Sequence, residues 1–543
     1  MIERLRAIAA DQRDAAPTLC KIEISYGRLL PLPIQRQHLT LLKKFSQCLG
    51  LASILLVMNY GDLLGGGQDV RMHVPYSLVG IAAAQLADIF LLALILFAVL
   101  APLQRSQRLY PWVRFVLAAV VPPYIFVRMR QLIPIQADNG LLVVAAFVWV
   151  AVLLLLLIRF NRWYRAVIRL GDAAGIFLFV FALCSIAQLL LVMLWRPGPQ
   201  QHVASWAHDT APRAHPKLVW IVFDELSFDQ LFEHRARDLE LPNFDALRSQ
   251  SALFSNVEPI GTRTVNIIPA LLSGRGVDDT KFTFGNHLQV HYVGLHGWHP
   301  LSGAQTVFAD AQRNGWRTAA VGWYNPYCSI YAGSIDDCYF TNLDRTDGDM
   351  AQRASFWHNT YEPLAQVVRE IKAPARADKD SCNIDVRQRL QTFLDLRQHT
   401  LDELSNDQSD MVFLHLPVPH SPNIWSRMDD NYTTFCDSSY LDNLALADRT
   451  LGEIMAKLQA SPRWKDTTVI VEGDHSWRIY LWDWLPAWTD QDDAASRNGY
   501  DPRPAMLIHQ AGQTAPAIHS AQWSLLNIHA VVEQILHGQP VTF

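Results

Sequence analysis

The sequence predicts two parts: an N-terminal α-helical transmembrane bundle and a C-terminal α/β domain with a mainly parallel sheet. Three observations lead there. Hydrophobic residues make up 50% of the 543 residues and charged ones 18%, below the ~25% of an ordinary soluble protein, and the apolar excess sits in the first 196 residues. Beyond Pro216, short β-branched runs alternate with helical stretches. Carboxylates and imidazoles follow directly on several of those runs. The boundaries expected are a cytoplasmic segment over 1–44, a membrane part over 45–196, a linker over 197–216 and the α/β domain over 217–543.

Five apolar segments approach the ~20 residues that cross a bilayer core: Phe45 to Leu64, Ser77 to Leu103, Trp112 to Val127, Leu141 to Ile158 and Ala173 to Trp195. Arg114 and the Pro122-Pro123 pair interrupt the third, and Asp88 inside the second is expected to face the bundle interior. The start, MIERLRAIAADQRD, has no apolar core, so no cleavable signal peptide is expected. Lys and Arg crowd the segment before the first span and the loops after the second (Arg105, Arg108) and fourth (Arg159, Arg162, Arg165, Arg169). The intervening loops carry only Arg71, Arg128 and Arg130. Basic loops stay in the cytoplasm, so five spans put everything after Trp195 outside it; a four-span reading without the third would put it inside. The linker, with WRPGPQQ, is expected to be a tether. The net charge of −5 and the lack of any basic tract give no reason to expect a nucleic-acid partner.

In the polar part, LVWIVF (218–223), TAAVGW (318–323), MVFLHL (411–416), TVIVEG (468–473) and AMLIH (505–509) have the pattern of buried strands, and Asn243–Ser251, Ala304–Asn314 and Ser439–Gln459 that of helices. Such alternation implies a largely parallel sheet covered on both faces. Its cysteines number four, and an exported domain allows disulfides: Cys328 with Cys338 across a short loop, then Cys382 with Cys436, against the alternative of four reduced thiols.

Ligands of parallel sheets bind beyond the carboxyl ends of the strands. There stand Asp224 and Glu225 after the first run, His420 after the third and Asp474-His475 after the fourth. Asp, Glu and His together suit Zn²⁺ or Mn²⁺; singly, each acid could equally be a helix cap. The segment GTRTVNIIPALLSGR (261–275) offers a hydroxyl at a helix start, Thr262 or Thr264. It is either a nucleophile, favoured by the orphan N–H groups and a metal, or simply an N-cap.

Four blocks resemble the sulfatase-like branch of the alkaline phosphatase superfamily: KLVWIVFDELSFD (217–229), GTRTVNIIPALLSGR, YLDNLALADRTLGEIMAKL (440–458) and VIVEGDHS (469–476). PRPAMLIHQAGQ (502–513) is similar to a late strand of the same group. With the five spans, the chain looks most like lipoteichoic acid synthases and lipid A phosphoethanolamine transferases. The resemblance implies an alkaline phosphatase-like fold and a catalytic Thr264, five residues before Pro269 and nine before Ser273. It implies metal ligation by Glu225, Asp474, His475 and Thr264, with Asp224 assisting or replacing Glu225, and substrate contacts at His420, or a loop histidine without a role there. Trp323 and Asn325 would line the pocket. Threonine cannot become the formylglycine of sulfatases, which turns the expectation from sulfate to phosphate esters.

One divalent metal is expected, Zn²⁺ or Mn²⁺, with Mg²⁺ or Ca²⁺ as alternatives, since DHSWRIYLWDWLPAW carries no further histidine after the Asp-His pair. The implied activity is transfer of a phospholipid head group, phosphoethanolamine or phosphoglycerol, through a phosphothreonine to an envelope glycan or lipid. The implied place is the bacterial cytoplasmic membrane, multi-pass, with catalysis on the periplasmic side. Two alternatives stay open: an extracytoplasmic phosphodiesterase, phosphatase or sulfatase-like hydrolase, and an inactive relative serving as a binding or assembly protein of the envelope.

Overall fold

The computed structural model describes residues 33–57, 60, 77–103, 106, 108–129, 139–195, 201–205, 213, 215–283, 287–341, 355–363, 377–485 and 487–543. Cys20, Arg71, Arg105 and the end of the first expected span, 61–64, lie outside them. The chain divides into two compact units, one over the described parts of Met1–Ala52, Leu92–Pro123 and Ala137–Val180, the other over those of Ser53–Leu91, Tyr124–Gln136 and Phe181–Phe543.

The apolar part forms the helices Pro33–Leu55, Val79–Leu103, Tyr110–Met129, Asn139–Arg159 and Asn161–Val192. Two of them, Val79–Leu103 and Asn161–Val192, are long and apolar enough to cross a membrane, and Tyr110–Phe126 and Val144–Arg159 are shorter apolar stretches. The first helix begins at Pro33, well before the expected Phe45; proline suits a helix start because its missing N–H is unpaired there in any case. Arg162, Arg165 and Arg169 are helical rather than in a loop. Their long unbranched side chains cost a helix little, so only Phe160 separates the two helices. Asp88 is half-buried.

The α/β part is organised by a nine-stranded sheet. Its strands are β1 (Gln201–His202), β2 (Lys217–Phe223), β3 (Ala252–Phe254), β4 (Thr318–Trp323), β5 (Asp337–Thr341), β6 (Met411–Leu416), β7 (Thr467–Gly473), β8 (Met506–His509) and β9 (Ala517–His519). Their order is β1-β5-β4-β6-β2-β7-β8-β3-β9. The centre, β5-β4-β6-β2-β7, is parallel throughout, whereas β8 runs antiparallel to β7 and β3.

Every residue of β2, β6 and β7 is buried, which is why these strands are unbroken apolar runs rather than alternating ones. Leu218, Trp220 and Val222 face one core with Ile268 and Leu271 of helix Thr264–Ser273, Phe308 and Val532. Val219, Ile221 and Phe223 face the other, with Phe244, Phe393 of helix Ala377–Asn406 and Leu444 of helix Tyr440–Ala460. Register sets the functional edge. Phe223 pairs with Leu416 on one side and Gly473 on the other, so Asp224, Pro417 and Asp474 leave the sheet side by side.

The expected linker is not wholly a tether. Gln201 and His202 pair with Tyr339 and Cys338 as an edge strand, and Arg213 Nε donates to Asp410 at 3.1 Å. Both disulfides form as paired, Cys328 with Cys338 and Cys382 with Cys436, while Cys48 and Cys184 are free.

Candidate functional site

The Thr264 helix shows how a local choice exposes a hydroxyl. Arg263, extended at φ −127°, precedes it and supplies no side-chain cap, and Gly274 in the left-handed region ends it. Thr264 is therefore the first helical residue, and its Oγ1 serves the neighbouring strands instead of its own helix. It donates to Asp474 Oδ2 at 2.7 Å and lies 3.3 Å from both Asp224 Oδ2 and His475 Nε2. Thr262, the other hydroxyl weighed, is exposed, and its carbonyl accepts Arg478 Nη1 at 2.9 Å.

Asp224, Asp474 and His475 close around that hydroxyl. His475 Nε2 is 3.5 Å from Asp224 Oδ1 and 3.4 Å from Asp474 Oδ2, and all three side chains are at most 1% exposed. His475 Nδ1 pairs with the Ser476 carbonyl at 3.0 Å, so Nδ1 carries the proton and Nε2 turns a lone pair inward, the tautomer a metal ligand needs. The buried His415 stands at the edge, with Nε2 4.0 Å from Asp224 Oδ2 and Nδ1 2.7 Å from the Tyr327 hydroxyl. Burial pushes its pKa down to about 4.

Burial, the Asp474 charge and the Glu225 charge raise the Asp224 carboxyl well above its ordinary range, against the pull of Arg478 and Arg389. Asp224 Oδ1 and His415 Nε2 are buried without a hydrogen-bond partner. Ligand atoms of Asp224, His415 and Asp474 lie within 4.8 Å of one another. Two crowded carboxylates, two imidazoles and unspent lone pairs form a donor set that fits one divalent cation.

Glu225 is elsewhere. Its backbone adopts φ 66°, unusual for a residue with a side chain, so it diverges from Asp224. The conformation is held by its N–H, which donates to Asp474 Oδ1 at 3.2 Å, and by its carbonyl, which accepts the Tyr440 hydroxyl at 2.7 Å. The carboxylate, fully buried, accepts Arg478 Nε at 2.7 Å and Trp482 Nε1 at 3.0 Å. The structure thus turns Asp224, rather than Glu225, toward Thr264 and His475, while the Glu225 carboxylate faces Arg478 and Trp482.

His420 is half-buried and donates its N–H to the Asp224 carbonyl at 3.1 Å. Its ring packs against Trp323 and Trp482, with centroids at 5.6 and 5.1 Å. Burial, then the charges of Arg389, Arg478 and His475, push its pKa well down. Nδ1 pairs with the Ser421 carbonyl, leaving Nε2 of the neutral ring as an acceptor. Trp323 is buried under the Arg389 guanidinium, 4.2 Å from its ring centroid. Asn325, also buried, donates its N–H to the Trp323 carbonyl at 2.8 Å.

Sequence reasoning did not single out Arg478, Trp482, Arg389, Tyr327 or Tyr440. The i, i+4 spacing of Arg478 and Trp482 just after Asp474-His475 was the one signal present.

Residues 216–522, more than half of the chain, match the sequence model of the family described as Sulfatase. No curated protein matches the sequence. Among solved structures, similarity extends to the phosphonate monoester hydrolase of Agrobacterium radiobacter, at 12% identity and a TM-score of 0.38 over 60% of this chain and 74% of that one. A protein in the alkaline phosphatase superfamily from Vibrio parahaemolyticus is similar at 16% identity and a TM-score of 0.35 over 62% and 69%. The lipoteichoic acid synthase LtaP from Listeria monocytogenes is similar at 14% and 0.33 over 60% and 72%. On the family match, and with its α/β fold, the chain belongs to the sulfatase family.

Proposed function

We propose that the chain is a metal-dependent phosphoryl-group transferase that moves a phospholipid head group, phosphoethanolamine or phosphoglycerol, through a phosphothreonine at Thr264 to an envelope glycan or lipid. One observation carries the reading: Thr264 Oγ1, free of any capping duty, lies 2.7–3.3 Å from Asp474, Asp224 and His475 in a buried donor set. Asp224, Asp474 and His475 would hold the metal, with His415 at its edge. A divalent cation there would favour the Thr264 alkoxide and offset charge on the phosphoryl oxygens.

The threonine oxygen bonds to phosphorus as the bond from phosphorus to the diacylglycerol oxygen breaks, and the threonine proton passes by way of solvent to that leaving oxygen. In the second step an acceptor hydroxyl bonds to phosphorus as the bond from phosphorus to the Thr264 oxygen breaks, and that oxygen regains a proton by way of solvent. His420, with Nε2 unprotonated, suits taking the acceptor's proton. This differs from the sequence-based expectation of a phosphate contact, since a neutral acceptor nitrogen does not offset phosphoryl charge.

The lipid donor is supported by an exposed apolar rim, Tyr480, Leu481 and Trp484, next to Trp482, and by the apolar helices in the same chain. Five spans with the α/β domain on the periplasmic side of a bacterial cytoplasmic membrane complete the proposal. The basic residues ahead of the first apolar stretch and between the later ones and the two disulfides, which belong to oxidising compartments, support it.

The test is mass spectrometry of the purified protein after incubation with labelled phosphatidylethanolamine and phosphatidylglycerol. The expected result is one head-group phosphate added on Thr264, transferred when acceptor is supplied. Full-rate release of free head group without acceptor identifies a hydrolase instead, and no adduct on Thr264 removes the covalent mechanism.

A further inference from the structure

The segment that follows Asp474-His475, WRIYLWDWLPAW (477–488), carries four tryptophans in twelve residues. Three of them fix it to the site. Trp477 stacks on Tyr440 at 4.4 Å and on Trp488 at 5.5 Å. Trp482 Nε1 donates to Glu225 at 3.0 Å, and its ring packs on His420 at 5.1 Å. Between these anchors the other side chains turn outward: Trp484 is 68% exposed, Tyr480 48% and Leu481 38%. Tyr500, also exposed, joins them with its ring 5.3 Å from that of Tyr480. A contiguous apolar rim held in water by rigid anchors marks a surface with a partner.

The direction of β1 indicates what that partner is. β1 runs antiparallel to β5, with Gln201 opposite Tyr339 and His202 opposite Cys338, whereas β5 is parallel to β4, β6, β2 and β7. The chain therefore enters the sheet from the side of the carboxyl ends, the side on which the rim follows β7. The helix Asn161–Val192, long and apolar enough to cross a membrane, ends just before that entry. Gln201 is six residues on from Trp195, a stretch that reaches ~22 Å at most. Tryptophan and tyrosine are also the side chains enriched where a bilayer meets water. The exposed charges from Tyr480 to Tyr500 are Asp483, Asp490, Asp493 and Arg497. That acidic excess is repelled by a negatively charged lipid surface, so the surface that fits is zwitterionic.

We propose that the rim of Tyr480, Leu481, Trp484 and Tyr500 seats in the head-group layer of a zwitterionic bilayer and so holds the Thr264 cluster at the lipid surface. The inference rests on the lipid-donor reading and names the surface through which that donor is reached. Trp482 makes the link, because it lies between Leu481 and Trp484 in the chain and touches both Glu225 and His420. Seating its neighbours in the bilayer therefore sets the head groups beside the reacting residues. A soluble protein could cover the same aromatic rim, but it gives no reason for an apolar helix to end so close to the sheet on that side.

The experiment uses the full chain in phosphatidylcholine nanodiscs, with Cys20, Cys48 and Cys184 replaced by serine. An environment-sensitive fluorophore is placed at Asp483→Cys, inside the rim, and in a second protein at Lys465→Cys, exposed just before β7 at the opposite end of the sheet. Lipids with a nitroxide near the head group report contact by quenching. The expected result is a blue-shifted, quenched label at 483 and an unquenched one at 465. Leu481→Ser with Trp484→Ser, both at exposed positions, abolishes the quenching, and added salt leaves it unchanged because charge does not seat the rim. Mn²⁺ titration of each variant reports that the neighbouring cluster is intact. No quenching at 483, equal quenching at both positions, quenching kept by the double variant, or quenching lost on adding salt overturns the proposal. A blue shift without lipid quenching also overturns it and identifies a protein partner. An unmodified Thr264 in the mass-spectrometric test defeats the transferase reading alone and leaves the quenching readable.

Discussion

Replacing Glu225 by glutamine separates two roles for this acid, metal ligand and partner of Arg478. Its carboxylate is fully buried and accepts Arg478 Nε at 2.7 Å and Trp482 Nε1 at 3.0 Å. Glutamine keeps one acceptor oxygen but loses the charge and turns an NH₂ toward those donors. Removing one partner of a buried ion pair costs about 3–5 kcal/mol; the Arg478 side chain is 10% exposed, which favours the lower end, about 3 kcal/mol. The expected result is a urea midpoint lowered accordingly, with Mn²⁺ affinity reduced about tenfold, as for residues one layer behind the ligands. Adding Arg478→Met then restores most of both, because the uncompensated cation is gone. Asp224→Asn, by contrast, lowers Mn²⁺ affinity far more, and Arg478→Met does not rescue it. Urea denaturation and calorimetric Mn²⁺ titration of the unaltered chain, the two single variants and each of them with Arg478→Met read the comparison. A Glu225→Gln variant that loses Mn²⁺ as completely as Asp224→Asn, without rescue, refutes the assignment.

Thr264→Ala is expected to abolish head-group transfer, by at least about a thousandfold, while Thr264→Ser retains part of it because the hydroxyl survives; steady-state assays and the mass of the intermediate check both. Glu472 sits fully buried in β7, accepts Trp220 Nε1 at 2.7 Å, and has its pKa raised from 4.5 to about 8, chiefly by burial. Its neutral form therefore contributes stability that is complete below the unfolded pKa and lost as pH rises through about 8. Urea midpoints measured from pH 6 to 9 should show a loss of about 3 kcal/mol that Glu472→Gln removes; an unchanged slope in the variant rejects this. Replacing Cys328 and Cys338 by alanine opens a loop with a sequence separation of 10 and is expected to cost about 3 kcal/mol, seen as a lower melting temperature that reducing agent shifts further only through Cys382–Cys436.

The parts of the fold legible in the sequence are those whose cause is local. β2, β6 and β7 are apolar without interruption because both faces are covered, and that is visible in a string of letters. So is the edge to which Asp224, His420 and Asp474 belong, since strand ends follow from the runs. Helix Ala377–Asn406 went unread because its apolar residues, Val386, Phe393 and Leu396 among them, are scattered through a largely polar stretch. In the three-stranded sheet of Val277–Thr283, His287–Tyr292 and His299–Leu301, His287–Tyr292 does alternate polar and apolar residues, but its two neighbours, VDDTKFT and HPL, do not. Thr264 illustrates the middle case. Spacing left it a cap or a nucleophile, and only the position of Arg263 outside the helix decides that its hydroxyl is not a cap.

Which of two adjacent acids faces the cluster was not legible, because the answer lies in contacts distant in sequence. Asp224 and Glu225 are chemically alike, and the positive φ that parts them is held by Asp474 and Tyr440. Their division of labour has an electrostatic logic. Arg478 is a buried cation close enough to Asp224 and Asp474 to pull on Asp224's titration. Unpaired, it would be drawn to those two carboxylates and occupy the lone pairs a metal needs. Glu225 holds it aside, and Trp482 backs Glu225. One turn after β2 thus keeps the arginine off the cluster and leaves Asp224 Oδ1 unspent beside the Thr264 hydroxyl.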